Sequence, residues 1–185
     1  MDRHAVTPQG SSFSAATAVL EPPKRDELHA QVREAHRSFP TGVTVVTTHV
    51  QGVPVGLAVN AFSSVSMEPP LVLVCVNSSS QSHSSLSRSR HLGISVLGRD
   101  QAQLALAFAK SGGDKFHGVD WHSGTEGTPL LDGASATFEV DVQEHIAAGT
   151  HTIFLGRVVA VESTGKPPLV YSGGQFYDGA RLVVA

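Results

Sequence analysis

Most of the regularly patterned segments of the chain are typical of β-strands, and only two segments place apolar residues at the helical period. The first begins at Asp26, a favourable N-cap, and places four apolar residues on one face: Leu28, Val32, Ala35 and Phe39. Pro40 ends this helix, because the residue before a proline disfavours helical geometry. The second covers residues 100–110 and ends at Gly112 and Gly113.

Strands are predicted wherever β-branched and apolar residues cluster between turn residues. Residues 43–49 and 55–60 form a hairpin around the turn at 51–54. Further strands are predicted at residues 71–76, 92–97, 136–142, 151–162 (with a bend at Gly156), 169–171 and 182–184. Residues 114–132 have no period and form a long loop, which in a compact domain is usually functional. Because turns rather than helices join the strands, we predict a mainly β barrel with two peripheral helices.

Composition narrows the class of protein further. The 185 residues suit one domain, which we place at residues 25–185 behind a flexible arm of residues 1–24. A formal charge of −3 without a basic block argues against a nucleic-acid partner. No apolar run approaches the roughly 20 residues that span a bilayer, so no membrane partner is expected. The single cysteine, Cys75, excludes an internal disulfide, and a cytoplasmic location fits.

Several common catalytic motifs are absent from the chain, and a metal site is poorly supported. The chain has no dinucleotide-binding glycine fingerprint, phosphate-binding P-loop or nucleophile elbow. Cys75 lies in an apolar strand and is interpreted as a packed, inert thiol. Four residues of the long loop could offer metal ligands: Asp114, His117, Asp120 and His122. Their spacing matches no helical or strand register that would bring them together, so we expect no metal site.

Two clusters of small polar residues follow predicted strands. Residues 77–90 contain eight serines and two arginines, which suit either a phosphate group or a solvated linker. Residues 60–66 could let backbone amides approach a flat ligand closely, or could form an ordinary turn. Composition alone leaves both pairs of interpretations open.

In their order and spacing, these clusters resemble the flavin reductase-like family, the split-barrel reductases of two-component monooxygenases. The resemblance covers residues 27–178 and is carried by residues 39–43 (FPTGV), 60–72 (NAFSSVSMEPPLV), 77–80 (NSSS), 114–116 (DKF), 127–131 (GTPLL), 148–158 (AGTHTIFLGRV), 168–171 (PLVY) and a Gly-Gly-x-Phe-Tyr stretch that ends at Tyr177.

The resemblance implies a homodimeric Greek-key split β-barrel that binds FMN or FAD near the dimer interface. It implies oxidation of NADH, with NADPH possible, by hydride transfer to the flavin, and release of reduced flavin to a partner monooxygenase. Such chemistry needs stacking geometry more than a proton-transfer residue, because the cofactors carry the reaction.

The resemblance also assigns residues to the site. His151 is the implied catalytic residue, near the nicotinamide. The implied cofactor-binding residues are Thr41, Asn60, Ala61, Phe62, Ser63, Ser64 and Val65 around the flavin ring, Ser79, Ser80, Gln81 and Ser82 at the phosphate, Lys115 and Phe116 from the loop over the flavin, and His151 and Tyr177 towards the nicotinamide.

Two departures from the family pattern bear on the site. Thr150 stands where many relatives have Asp, which changes what orients His151. Ser78 stands where relatives often carry Lys or Arg, so the phosphate loop loses a cation and we expect weaker flavin retention.

Two other functions compete with the reductase. A split-barrel protein could carry flavin without turning it over. A related barrel oxidase could use tightly bound FMN on a substrate such as a pyridoxamine phosphate, although a phosphate loop with few cations argues against such tight binding.

Overall fold

A computed structural model describes residues 24–182 of the protein. The helices are α1 (Arg25–Arg37), α2 (His83–Arg88) and α3 (Ala102–Ala109), followed near the end by a 3₁₀ turn (Gly179–Arg181). The strands are β1 (Thr41–Gly42), β2 (Thr44–Val50), β3 (Val53–Val59), β4 (Phe62–Met67), β5 (Pro70–Asn77), β6 (His91–Val96), β7 (Trp121–Ser123), β8 (Pro129–Leu131), β9 (Ala136–Ala148), β10 (His151–Ser163), β11 (Leu169–Ser172) and β12 (Gln175–Asp178). The predicted mainly β architecture is confirmed.

Seven antiparallel strands form the main sheet in the order β3-β2-β6-β9-β10-β5-β4. Its two edge strands, β3 and β4, follow each other in the chain and are separated only by Asn60 and Ala61. The sheet must therefore curl until its edges approach each other at these two residues. Within the described residues β3 and β4 are not paired, so the barrel is open along this side.

The barrel interior is filled by side chains from all its walls. Val46, Ile94 and Val140 contribute from one half of the sheet, and Val74 and Phe154 from the other. Leu86 of α2 is fully buried in the same cluster, and the hydroxyl of Ser82 at the start of α2 donates to the carbonyl of Gly56 on β3. Helix α2 therefore covers the open side of the barrel next to β3.

A second apolar cluster lies outside the barrel. Helix α3 packs Ala105 and Phe108 against Val45 of β2, and the buried Phe116 contacts Phe108 edge-on. Two small sheets complete this layer, one ordered β1-β11-β12 and one formed by β7 and β8. None of the helices in residues 24–182 is long and apolar enough to cross a membrane.

Helix α1 differs from its prediction in two respects. It begins at Arg25, so Asp26 lies in the first turn and is not the N-cap. None of its residues is buried, and Phe39 beyond its end is 71% exposed. Its C-terminal end is attached to the β11–β12 turn, where the Arg37 guanidinium donates to the carbonyl of Gly173 over 2.8 Å.

Several strands were missed or shortened in the sequence analysis. Strand β4 coincides with the cluster interpreted there as a ligand-approach segment or a turn, and β7, β8 and β12 were not predicted. Strand β9 extends to Ala148 because it pairs with β10 along its whole length, and the predicted irregularity at Gly156 is confirmed as a register shift. The predicted arm lies outside the described residues except for Lys24, and the predicted strand 182–184 lies outside except for Leu182, which follows the 3₁₀ turn.

Candidate functional site

Three strand ends meet at one place in the main sheet. Strand β5 ends at Asn77, which lies opposite His151 at the start of β10. Strand β4 begins beside the same end of β5, because the Cys75 N–H donates to the carbonyl of Ala61 over 3.0 Å. We call Asn60–Ala61, Asn77 and Thr150–His151 the strand junction. Antiparallel register thus brings together three segments that the sequence analysis singled out separately.

The serine loop, residues 78–82, is organised by Asn77. The Asn77 Oδ1 accepts hydrogen bonds from the N–H of Ser79 at 2.9 Å and from its hydroxyl at 2.8 Å. The N–H of Ser80 donates to the Asn77 carbonyl at 3.0 Å. The N–H groups of Gln81 and Ser82 have no acceptor among the described residues. The loop therefore has a fixed shape and two backbone donors without a protein partner.

His151 is half-buried at the junction and is oriented by its neighbour. Its Nδ1 and the hydroxyl of Thr150 share a hydrogen bond of 3.0 Å. The carbonyl of Thr150 accepts the N–H of Ser78 over 2.9 Å, which connects the serine loop to the β9–β10 turn. Thr150 therefore performs the orienting role that its departure from the family pattern had left open.

Strand alternation places part of the predicted flavin cluster on the outer face of the barrel. Val74 points into the core, so Phe62 opposite it also points inward and packs against Phe138. Ala61 and Ser63 point the other way, with Cys75 and His151. The small side chains and His151 thus share one surface, whereas the Phe62 ring belongs to the barrel core.

Strand β4 also offers backbone donors, because it is an edge strand. Ala61 is directly opposite Cys75 and accepts its N–H, so Ala61 and then Ser63 are the hydrogen-bonded positions of this ladder. The N–H groups of the intervening Phe62 and Ser64 consequently face away from β5. The exposed Val65 lies at the register shift that follows.

A groove of about 310 Å³ begins at Asn60 and is lined by Val43, Tyr171, Phe176 and residues of α3. Thr41 lies opposite Tyr171 in the adjoining small sheet. Its Oγ1 is buried and has no hydrogen-bond partner among the described residues. A buried hydroxyl without a partner is costly, and a bound ligand could supply the missing hydrogen bond.

On the other side of the serine loop lies a cleft of about 470 Å³ whose lining includes Gly56, Gln81, Ser82 and Lys115. The Lys115 Nζ donates to the carbonyls of Phe108 at 3.0 Å and Gly56 at 3.3 Å. Burial lowers the pKa of this ammonium group. Lys115 is therefore hydrogen-bonded to the protein itself.

Two of the remaining predicted residues are separated from the junction surface. The ring of Phe116 is buried between Phe108 and Trp121 in the outer cluster. Tyr177 is half-exposed on β12 and points away from Phe176, its neighbour that lines the groove.

The sequence analysis gave no role in the site to two residues that shape it: Asn77 and Gly56. The signal for Asn77 was its position directly after an apolar strand, where an Asn side chain often forms a turn with the backbone. Gly56 interrupts an apolar strand, which is typical of a close backbone approach.

Two buried carboxylates lie elsewhere in the barrel. Glu139 accepts five hydrogen bonds from Thr125, Glu126 and Thr128. Burial alone raises the pKa of Glu139, but these hydrogen bonds together lower it. The Arg90 guanidinium, 3.1 Å from Asp141, lowers the pKa of that carboxyl. Among the described residues no group of three or more His, Cys, Asp or Glu side chains could hold a metal ion.

The structure is an open, strand-rich barrel with candidate ligand-binding loops at the ends of its strands. A family model described as "Flavin reductase like domain" matches residues 36–180. The chain therefore belongs to the flavin reductase-like family, and the family resemblance found in the sequence is confirmed.

Individual relatives agree with this assignment. The chain is 41% identical to the FMN reductase (NADH) SmoA of Agrobacterium fabrum over 78% of its own length and 82% of the relative. It is 38% identical to the reductase component of a 4-nitrophenol 4-monooxygenase/4-nitrocatechol 2-monooxygenase of Rhodococcus opacus, over 85% of this chain and 88% of the relative. Against two relatives from Rhizobium meliloti it spans only 47% and 64% of their lengths.

Solved structures share the fold. The NADH:FAD oxidoreductase SgcE6 of Streptomyces globisporus, in complex with NAD and FAD fragments, superposes with a TM-score of 0.78 at 38% identity. The match covers 85% of this chain and 96% of that one. The Greek-key split barrel expected from the sequence is therefore the fold of this protein.

Proposed function

We propose that this protein is an NAD(P)H:flavin oxidoreductase that reduces FMN or FAD with NADH, or with NADPH, and releases reduced flavin to a partner monooxygenase. The observation that carries the proposal is the strand junction, where the serine loop, the edge of β4 and His151 meet. SmoA is an NADH-dependent FMN reductase, and SgcE6 binds NAD and FAD fragments. The Rhodococcus relative is a monooxygenase reductase component.

The flavin ring would lie against β4. The N–H groups of Phe62 and Ser64 face the open edge of the sheet, where the acceptor atoms of the flavin pyrimidine ring can meet them. The small side chains of Ala61 and Ser63 leave room for a flat ring on the outer face, and Asn60 and Val65 border it. When bound, the flavin and the nicotinamide supply the hydride transfer from nicotinamide C4 to flavin N5.

The flavin phosphate would bind at the serine loop. Two N–H groups, those of Gln81 and Ser82, are available there as donors, and the side chains of Ser79 and Ser80 lie next to them. Neutral donors replace a cation at Ser78, so the loop would hold the phosphate loosely enough for reduced flavin to leave.

Two further side chains fit the bound cofactors. Thr41, with its unpartnered hydroxyl, lies opposite Tyr171, which lines the Asn60 groove, and would gain a hydrogen bond from a ligand there. His151, held by Thr150, would contact the nicotinamide and fix its approach to the flavin.

The proposed active unit is a homodimer in the cytoplasm. The outer face around the junction carries apolar side chains that stay partly exposed, among them Leu73, Ile153 and Leu155, and Ile146 is 41% exposed. A second copy would cover this face and enclose the flavin from the other side. The cytoplasm supplies NAD(P)H and suits a chain with one free cysteine.

The experiment is a steady-state assay of NADH and NADPH oxidation by the purified protein, with and without added FMN or FAD. A reductase oxidises the nicotinamide only when flavin is supplied, and its rate saturates with one of the two flavins. Flavin binding without nicotinamide oxidation would instead establish the carrier function. Purification with one tightly bound FMN per chain would favour the oxidase.

A further inference from the structure

Lys115 joins two elements through its ammonium group. It donates to the carbonyl of Phe108, in the last turn of α3, where helical carbonyls lack a partner within the helix. It also donates to the carbonyl of Gly56 on β3. Since β3 is an edge strand of the main sheet, this carbonyl has no neighbouring strand to bond. Lys115 thus fastens the end of α3 to the open edge of the barrel.

The same Gly56 carbonyl accepts a hydrogen bond from the serine loop. The buried hydroxyl of Ser82, the last residue of that loop, donates to it over 3.1 Å. Two donors from separate segments therefore converge on one oxygen atom. We call Gly56, Ser82 and Lys115 the edge clamp.

The acceptor at the centre of the clamp is held rigidly. A Cβ atom added to Gly56 would lie 2.9 Å from the Val46 carbonyl oxygen, 3.0 Å from the Thr47 methyl carbon and 3.3 Å from the Phe108 ring. The strand and the helix thus pack directly on the Gly56 backbone. Because Lys115 and Ser82 share this oxygen, loss of the Lys115 hydrogen bonds alters the acceptor that holds the serine loop.

We infer that Lys115 is a positioning residue for flavin binding: it fixes the serine loop through the shared Gly56 carbonyl and does not itself ligate the flavin phosphate. The inference rests on the proposed function, in which that loop binds the phosphate. It revises the expectation that Lys115 contacts the flavin directly.

The test compares Lys115→Met, which keeps the aliphatic stem and removes the donors, with Ser82→Ala and the double variant. Lys110→Met is the matched control, because Lys110 is an exposed lysine just after α3. The dissociation constants of FMN and of riboflavin, which lacks the phosphate, are measured by fluorescence quenching at low and high salt. Urea unfolding of the flavin-free proteins is measured in parallel.

We expect Lys115→Met to weaken FMN binding about tenfold, with the same factor at both salt concentrations. Riboflavin binding should change less than twofold and Lys110→Met should behave as wild type. In the double variant, the FMN dissociation constant should rise by clearly less than the product of the factors for Lys115→Met and Ser82→Ala, since both substitutions remove donors to one oxygen. The same coupling should appear in the unfolding of the flavin-free proteins.

Two results together would overturn the inference and identify Lys115 as a direct phosphate ligand. The factors for the two single variants would multiply in the FMN dissociation constant of the double variant, and the loss of FMN affinity in Lys115→Met would shrink at high salt. If the two substitutions lower the free energy of unfolding additively, that result would also contradict the clamp. If Lys115→Met does not fold, Lys115→Gln removes the charge and keeps a neutral donor: FMN affinity within about threefold of wild type would support the clamp, and a larger loss that shrinks at high salt would identify a direct phosphate ligand. Failure of the proposed function looks different: the wild-type protein would bind no flavin, while the coupling in unfolding would persist.

Discussion

The N–H of Ser78 donates to the carbonyl of Thr150 over 2.9 Å, and this contact ties the serine loop to the residue that orients His151. The loop proposed to bind the flavin phosphate and the histidine proposed to face the nicotinamide are therefore both held by Thr150, one by its carbonyl and the other by its hydroxyl. Precise relative placement of two cofactors is what hydride transfer requires.

This arrangement predicts separate effects on binding and on reduction. His151→Ala should slow flavin reduction by NADH about 10- to 100-fold, because a misplaced nicotinamide loses the reactive geometry, while the flavin dissociation constant changes little. Thr150→Val should give a smaller loss of the same kind, since it removes the hydroxyl that holds the imidazole. Anaerobic stopped-flow reduction measures the rate, and reduction of His151→Ala at the wild-type rate would remove His151 from the site.

Glu139 should stabilise the fold without taking part in catalysis. Glu139→Ala leaves the buried N–H and hydroxyl of Thr128 without their acceptor and also removes the acceptor of the exposed Thr125 and Glu126, and we expect it to lower the free energy of unfolding by about 3 kcal/mol. Glu162→Gln, an exposed change on the neighbouring β10, is the control. Urea denaturation at neutral pH measures both variants, and equal stability of Glu139→Ala and wild type would contradict the role.

The pH dependence of this stabilisation has a defined sign. The folded-state pKa of Glu139 lies below its ordinary value of 4.5, so its contribution is complete above that value. As the pH falls through the folded-state pKa, the carboxyl becomes protonated and the contribution is lost. The difference in stability between wild type and Glu139→Ala should therefore narrow in acid, and a constant difference would argue against the carboxylate as the cause.

The proposed dimer predicts a position-specific effect on one strand. Leu155 lies opposite Leu73 on the outer face, so Leu155→Arg should place a charge in the interface and give a monomer in light scattering. Val161→Arg, farther along β10 at a position 62% exposed, should leave the dimer intact. A monomeric wild-type protein, or a dimer in both variants, would exclude this face as the interface.

Local pattern was sufficient for the elements whose residues determine their own conformation. The β2–β3 hairpin is β-branched around a Gly-containing turn, and α3 has a helical apolar period, so both were predicted. Strand β4 was not predicted as a strand, because Ser63, Ser64 and Ser66 have weak strand propensity and the strand depends on pairing with β5.

The sequence supplied candidate residues for the site but not their arrangement. The family resemblance singled out Asn60, Ser79 and His151, yet their proximity depends on the antiparallel register between β4, β5 and β10. Side-chain direction could not be predicted either, because β4 was not recognised as a strand. In the structure Phe62 points into the core and the adjacent Ser63 points outward. The bonding of Lys115 to Gly56 and Phe108 depends on tertiary packing in the same way.

We propose that flavin binds and is reduced at the outer face of β4 beside the strand junction, and Ser63→Trp would block that surface. The indole should fill the ring site and raise the FMN or FAD dissociation constant at least about tenfold, with a matching loss of NADH oxidation at limiting flavin. Ser123→Trp, an exposed change on β7, should bind and reduce flavin as wild type does. Unchanged flavin affinity and turnover in Ser63→Trp would show that the flavin binds elsewhere.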